Sequence, residues 1–170
     1  SNDSRTLDWL DQVKRDGFNT SSKIELRELL APKISIRKPF SSSKRYEWEL
    51  TLSEEHFNHY LSDIKKSIGM EGLGKIFDDL QMLLMDALNL AQEMGGADNW
   101  SDRSHWDLPS ISEHPQNRGF HSWVNLIELL RDSWLQILSN DISLASALAK
   151  SWFNKPYPVF KRLALFAARY

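Results

Sequence analysis

The feature that most constrains the fold is a helical spacing of apolar residues. In its longest run, residues 73–94, apolar side chains recur every three or four positions for about six turns, until a Gly-Gly pair ends the pattern. The apolar residues Met82, Met85 and Leu90 fall outside the main stripe. A helix that is apolar on more than one side is buried, so we expect this helix near the centre of the domain.

Six shorter segments show the same spacing and predict further helices: 6–16, 22–30, 53–68, 120–138, 142–153 and 159–170. Short breaks separate the last three, so we expect those helices to pack against one another. No exact internal repeat is visible. The chain is therefore predicted to form one all-α domain over 1–170, with six to seven helices in an irregular bundle or an α-helical repeat array.

Two local predictions concern individual helices. Ser53 precedes two acidic residues and is expected to cap the third helix. Trp123 and Trp134 belong to a run with steps of three and four residues, which places its side chains on one helix face. The other members are Leu126, Ile127, Leu130, Ile137 and Leu138. We predict that this face lies in the core.

Composition excludes several classes of protein and of functional site. The 170 residues are 41 % hydrophobic and 26 % charged, the balance of one globular domain. The chain has no cysteine, which excludes disulfide frameworks, thiolate metal sites and thiol catalysis. No stretch approaches the ~18 to 20 apolar residues of a membrane span, and residues 69–75 lack the spacing of a phosphate-binding loop. We expect a cytoplasmic protein with no membrane partner and no cofactor.

The two ends of the sequence suggest a fragment. It begins with Ser-Asn and stops inside an apolar helical pattern, so we interpret it as an internal portion of a larger protein. On that interpretation Leu163, Leu165, Phe166 and Tyr170 are expected to form an exposed apolar patch that contacts a further helical unit.

A basic segment at 33–45 has five basic and no acidic residues, and we predict a loop there, with one short edge strand near 33–37. Basic side chains beside aromatic rings are typical of nucleic-acid binding, so a nucleic-acid-binding module over 33–48 is one alternative function. A solvated loop anchored by Tyr46 and Trp48 is the competing interpretation. The possible nucleic-acid contacts are Lys33, Arg37, Lys38, Lys44, Arg45 and Trp48.

A long segment at 97–119 lacks periodicity and is predicted to be an ordered loop. We expect its apolar residues, among them Trp100, Trp106 and Ile111, to pack it onto the domain. Its polar residues suggest a second alternative, a metal-dependent hydrolase built from 97–121, although their spacing defines no ligand set, and backbone capping explains them equally well. These residues are Asp98, Asp102, His105, Asp107, Glu113, His114 and His121.

His56 and His59 form a separate pair. Spaced three apart in a predicted helix, they could share one face, but no acidic residue completes a zinc signature around them. We therefore expect ordinary surface or partly buried histidines.

The C-terminal part of the chain carries a resemblance. The runs HPQNRGFHSWVNLIELLRDSW at 114–134 and PYPVFKRLALFA at 156–167 resemble the helical region of large bacterial anti-phage defence proteins of the sirtuin-like and STAND ATPase types. The resemblance covers about residues 100–170 and contains no catalytic signature. It implies a helical sensor or scaffold whose chemistry resides in another domain.

These observations predict a non-catalytic helical scaffold or recognition segment of a larger cytoplasmic protein. Its expected partners are other domains of the same polypeptide or a separate protein. The uneven charge of the chain suits such contacts, since 46–114 has 14 acidic and 4 basic residues while 115–170 has 3 acidic and 7 basic.

Overall fold

A computed structural model describes residues 3–38, 46–117 and 119–170. It is mostly helical, at 65 %, and confirms the predicted fold class. The strands are β1 (Pro32–Arg37) and β2 (Glu47–Leu52), and a 3-10 turn (Ser122–Val124) precedes the sixth helix. The helices are α1 (Asp3–Asp16), α2 (Thr20–Leu29), α3 (Phe57–Lys75), α4 (Phe77–Glu93), α5 (Ser104–Asp107), α6 (Asn125–Asn140), α7 (Ile142–Trp152) and α8 (Pro158–Ala167).

Helix α6 lies at the centre of the domain and packs against α3, α4 and α7. Its Leu126, Ile127, Leu129 and Leu130 are fully inaccessible to solvent. Helix α4 also buries a stripe along its length and contacts both α6 and β1. The 73–94 run was predicted to lie at the centre of the domain, and the structure places both α4 and α6 there.

The boundary between α3 and α4 differs from the prediction. Gly69 has φ 72° and ψ 169°, so it interrupts the helical backbone, but α3 resumes after it and continues to Lys75. Helix α4 starts at Phe77 instead of residue 73, because Ile76, between α3 and α4, leaves the helical conformation. Apolar spacing continues through such a kink and does not reveal it.

The prediction that Ser53 caps α3 is wrong. The helix begins at Phe57, and its N-cap residue makes no side-chain cap bond. Ser53 instead donates its hydroxyl to the carbonyl of Ala31, which ties the end of β2 to the α2–β1 connection. The buried Glu54 carboxylate accepts hydrogen bonds from the Thr6 hydroxyl and the His56 N–H. These bonds hold α1 against the start of α3.

Strands β1 and β2 form an antiparallel pair in which Pro32 faces Leu52 and Arg37 faces Glu47. The strand expected near 33–37 is thus present, and residues 33–37 are not part of a loop. Its partner β2 was missed, because its charged and apolar residues give only a short alternation. Leu50 and Leu52 of β2 are buried, so the hairpin contributes to the core.

The described residues between α4 and the 3-10 turn include α5 and are otherwise irregular. The expectation that Trp100 and Trp106 anchor this segment is wrong, since their side chains are 90 % and 78 % exposed. Ile111, the third residue expected to anchor the segment, is buried as predicted, and Leu108 is buried as well. Smaller apolar residues that join the hydrophobic core therefore hold the segment.

Tyr157 occupies the turn between α7 and α8. Its φ of 72° lies in the left-handed region, which side-chain-bearing residues rarely adopt. The buried hydroxyl lies 2.6 Å from Asn89 Oδ1 and 2.8 Å from Gln92 Oε1, and burial raises the pKa of the phenol. The turn is thereby fixed to α4, and Pro158 follows it as the first residue of α8.

Candidate functional site

Acidic neighbours neutralise two of the basic residues predicted to contact nucleic acid. Lys33 Nζ lies 3.1 Å from Glu55 Oε1, and Arg37 pairs with Glu49 across the hairpin at 2.5 Å. Lys38 is exposed at the end of β1. Lys44 and Arg45 lie outside the described residues.

Trp48 is half-buried, and its ring lies against Gly96, where the indole occupies the space that a side chain would need. The guanidinium of Arg103 lies 5.9 Å from the centre of the same ring, within the range of a cation–π contact. Trp48 thus anchors the hairpin, whereas Tyr46, the other proposed anchor, is 69 % exposed.

The histidines of the 97–121 segment have separate local roles. His121 lies between two carboxylates, 3.4 Å from Asp107 and 3.7 Å from Glu49. A ring nitrogen of His105 contacts the carbonyl of Asp102, and His114 accepts from a backbone N–H. Across residues 3–38, 46–117 and 119–170, no group of three or more histidines and carboxylates is placed to hold a metal ion.

A buried polar network connects the 97–119 segment to α8. Asp102 is 1 % exposed and accepts hydrogen bonds from Ser104 and from the Val159 N–H at the start of α8. Arg162 donates to the Ser104 hydroxyl and to the Leu108 carbonyl. Burial lowers the pKa of Arg162, and the nearby Asp102 opposes that shift. This network has a structural role in positioning α8.

A polar cleft of about 410 Å³ lies between α3, α6 and the end of the long segment. Its amide side chains bind one another, since Asn125 donates to Asn58, and Asn58 donates to the Gly119 carbonyl. Glu128 also lines the cleft, and burial raises its pKa while Arg131 opposes the shift. The amide side chains of Asn58 and Asn125 thus hold the loop in place. Among the described residues that line this cleft, Glu128 is the one titratable acid.

A second cavity of about 400 Å³, which we name the α7–α8 groove, is mainly apolar. Its deepest side chains are the buried ring of Trp134 and the small residues Ala164 and Ala167. The groove is lined by Trp134, Leu138, Ile142, Ser146, Ala149, Lys150, Phe153, Ala164, Ala167, Ala168 and Tyr170.

The walls of the groove expose large apolar side chains. Ile142 is 73 % exposed, Phe153 50 % and Tyr170 70 %. Helix α7 buries only Ala145 and Trp152, although most of its residues are apolar. Its open side is the apolar surface that the sequence pattern did not identify.

The apolar patch expected at 163–170 is present only in part. Leu165 and Tyr170 are exposed, but Leu163 and Phe166 are buried against the domain. The reason is that α8 packs on both α5 and α7, which covers the side of the helix that carries Leu163 and Phe166.

Within the described part of the chain, no helix combines the length and apolar character needed to cross a membrane.

No protein-family model matches the sequence, and searches of curated proteins and of solved structures found no significant match.

Proposed function

We propose that the chain is a non-catalytic recognition or scaffold segment whose α7–α8 groove binds a helix of another protein domain. That domain belongs either to the same polypeptide or to a separate protein. The observation that carries the proposal is the exposure of Ile142, Phe153 and Tyr170 around a concave apolar floor. Exposed apolar patches of this kind are typical of protein interaction sites.

The shape of the groove supports a helical occupant. Alanines at 149, 164 and 167 leave space for the close approach of a partner backbone, while larger side chains stand at the rim. An amphipathic helix binds such a groove through apolar residues spaced three, four and seven positions apart. Burial of each half-exposed rim side chain would contribute about 1 to 2 kcal/mol.

The resemblance of residues 100–170 suggests a biological setting. We propose that the chain belongs to the helical part of a large cytoplasmic bacterial defence protein, in which catalysis resides in another domain. The groove would then be the surface through which the helical part contacts that domain.

Selection of helical peptides tests the proposal. A displayed library of 15-residue peptides is selected against the wild-type chain, and the affinities of the recovered peptides are measured by fluorescence anisotropy. Ile142→Glu with Phe153→Glu should weaken binding at least tenfold, because it places two charges in an apolar contact.

Leu165→Glu is the matched control, since Leu165 is 62 % exposed on α8 but does not line the groove. Its affinity should equal that of the wild type. Failure to recover any peptide would refute the proposed function, and so would binding that the groove substitutions do not weaken.

Nucleic-acid binding by residues 33–48 is a second candidate, and one observation favours it. Trp100, Trp106 and Phe120 are at least 76 % exposed in the segment that contacts β2 through Gly96, Arg103 and His121. Exposed aromatic rings beside basic side chains provide stacking surfaces for single-stranded bases.

Titration with single- and double-stranded oligonucleotides at low salt tests this candidate. Charge reversal of Lys38 and Arg45 should weaken binding and reduce its salt dependence, because each phosphate contact contributes to counterion release. Trp106→Ala should weaken single-strand binding specifically. Absence of binding at low salt would eliminate the candidate.

A further inference from the structure

The charge of the α7–α8 region is one-sided. Residues 142–170 have five basic and no acidic side chains. Three of the five are used within the domain, since Arg162 binds Ser104 and Leu108, Arg169 binds Ser112, and the Lys155 ammonium lies 5.9 Å from the centre of the Phe160 ring. The ammonium groups of Lys150 and Lys161 are exposed and pair with no carboxylate among the residues that the structure describes.

Lys150 and Lys161 belong to the ends of α7 and α8 that the short connection joins. Lys150 lines the groove from the last turn of α7. Lys161 precedes the groove residues Ala164 and Ala168 by three and seven positions, so it lies on the same side of α8. The short connection 153–157 joins the α7 end that carries Lys150 to the α8 end that carries Lys161. The chain order therefore places both cations toward that end of the groove, with Lys150 in its lining and Lys161 beyond it.

The lining residues at the opposite end of the groove, Ile142 and Tyr170, are apolar. Ile142 precedes Lys150 by eight residues, which corresponds to about 12 Å along α7. Tyr170 lies nine residues after Lys161, and its ring contacts that of Trp134 at 6.1 Å between centroids. An occupant that matches this gradient has apolar side chains at one end and negative charge at the other.

We infer that the occupant of the α7–α8 groove is an amphipathic protein helix of about three turns with carboxylates clustered at one end. The inference rests on the proposed function and specifies the chemistry of its partner. The carboxylates pair with Lys150 and Lys161, and the apolar face covers Trp134 and the surrounding alanines. Helix length follows from the 11-residue length of α7, whose Ile142, Ser146, Ala149 and Lys150 line the groove.

A helix fits this site better than an anionic lipid surface does. The groove is concave, and its floor, formed by Trp134, Ala164 and Ala167, lies below the rim. A cylinder can reach that floor, whereas a flat bilayer contacts only the rim residues. The charge gradient along the groove also fixes one direction for a bound helix.

Three synthetic 15-residue peptides test the inference. All have the same leucines at positions 1, 4, 8 and 11, and they differ only in three residues at one end, which are Glu, Gln or Lys. We expect the Glu peptide to bind about tenfold more tightly than the Lys peptide at low salt. The difference should shrink as salt is raised, because the lysines are solvent-exposed.

Variants of the chain locate the effect. Lys161→Glu alone should reduce the preference for the Glu peptide, and Lys150→Glu with Lys161→Glu should abolish or reverse it. An acidic residue near the start of α8 is compatible with the helix dipole, so Lys161→Glu keeps the fold. Lys14→Glu, an exposed charge reversal on α1, is the matched control and should leave all three affinities unchanged.

The outcomes separate the two proposals. Equal binding of the three peptides, with loss of binding in Ile142→Glu/Phe153→Glu, overturns the acidic partner and leaves the groove function intact. Binding that does not depend on Ile142 and Phe153 overturns both. Binding of phosphatidylserine vesicles that requires Lys150 and Lys161, without binding of the Glu peptide, overturns the helix in favour of a lipid surface.

Discussion

Trp123 and Trp134 combine a large buried ring with a satisfied indole N–H. Trp123 is 1 % exposed and donates to Asp107 Oδ2 at 2.9 Å, and Trp134 is 2 % exposed and donates to the Ala145 carbonyl at 2.9 Å. The three- and four-residue steps of the sequence predicted that both rings are buried. Their hydrogen-bond partners could not be predicted, because those partners come from the long segment and from α7.

Replacement of either ring by alanine should lower the free energy of unfolding by about 3 to 5 kcal/mol, since each removal leaves a large cavity. Urea denaturation of Trp123→Ala and Trp134→Ala measures the loss. Leu165→Ala, at an exposed position, should change stability by no more than about 0.5 kcal/mol. A loss below about 1 kcal/mol for either tryptophan would contradict the core assignment.

Glu128 should give stability a pH dependence. Because its pKa is raised in the folded protein, the unfolded chain releases the proton more readily, and stability falls as the pH rises from the ordinary carboxyl pKa through the folded value. Glu128→Gln removes the cost of the buried charge and should stabilise the protein at pH 7.

The advantage of Glu128→Gln should diminish toward pH 4, where the wild-type carboxyl is itself protonated. Denaturation midpoints of both proteins between pH 4 and pH 7 test this. A variant that is less stable than the wild type at pH 7 would show that the attraction of Arg131 outweighs desolvation.

At the scale of elements, helical spacing located seven of the helices but not the form of their junctions. The glycine at 69 was predicted to end a helix, and it does break the helical backbone, yet α3 continues beyond it. The reason lies in tertiary contacts. A Cβ at Gly72 would lie 2.8 Å from Phe18 Cδ1, so the continuation of α3 packs closely against the α1–α2 connection. Such a contact has no local sequence signal.

Alanine substitution distinguishes a glycine with a positive φ, Gly69, from a glycine with helical backbone, Gly74. Gly69→Ala should destabilise the protein by about 1 to 3 kcal/mol through backbone strain alone, since no heavy atom lies within 4 Å of its Cβ position. Gly74→Ala should be neutral or stabilising by up to about 1 kcal/mol, because its backbone is helical and its Cβ would meet Gln136 Cγ at 3.4 Å and Ile137 Cγ1 at 4.0 Å, which are van der Waals contacts. Equal effects in thermal denaturation would contradict the assigned kink.

At the scale of the whole molecule, the Asp102–Arg162 network joins segments that are distant in the sequence. The sequence shows Asp102 only as one of several acidic residues in an aperiodic segment, and it gives no reason to single out Arg162. Their connection depends on how α8 is folded back onto α5, so spacing alone could not reveal it. The α7–α8 groove was missed for the same reason: its lining residues come from three helices.

Arg162→Met should weaken the attachment of the 97–119 segment and lower stability by about 2 to 4 kcal/mol, because the carbonyls of Leu108 and Pro109 lose a charged donor. Hydrogen exchange should accelerate at the backbone amides of 102–111 more than in α6. Arg169→Ala, which removes one exposed hydrogen bond to Ser112, serves as the control and should leave exchange nearly unchanged. Uniform acceleration across the molecule would mean that the network contributes global stability without a local role.

Tyr157 has a consequence for how related sequences diverge. Its phenol lies within hydrogen-bond distance of the Asn89 and Gln92 amide oxygens on α4, so a change to phenylalanine would remove both hydrogen bonds that tie the turn to α4. Substitutions at 89, 92 and 157 are therefore expected to be correlated across homologues, with tyrosine and amides gained or lost together. This three-position covariation offers a means of recognising distant members of the same lineage after overall similarity has faded.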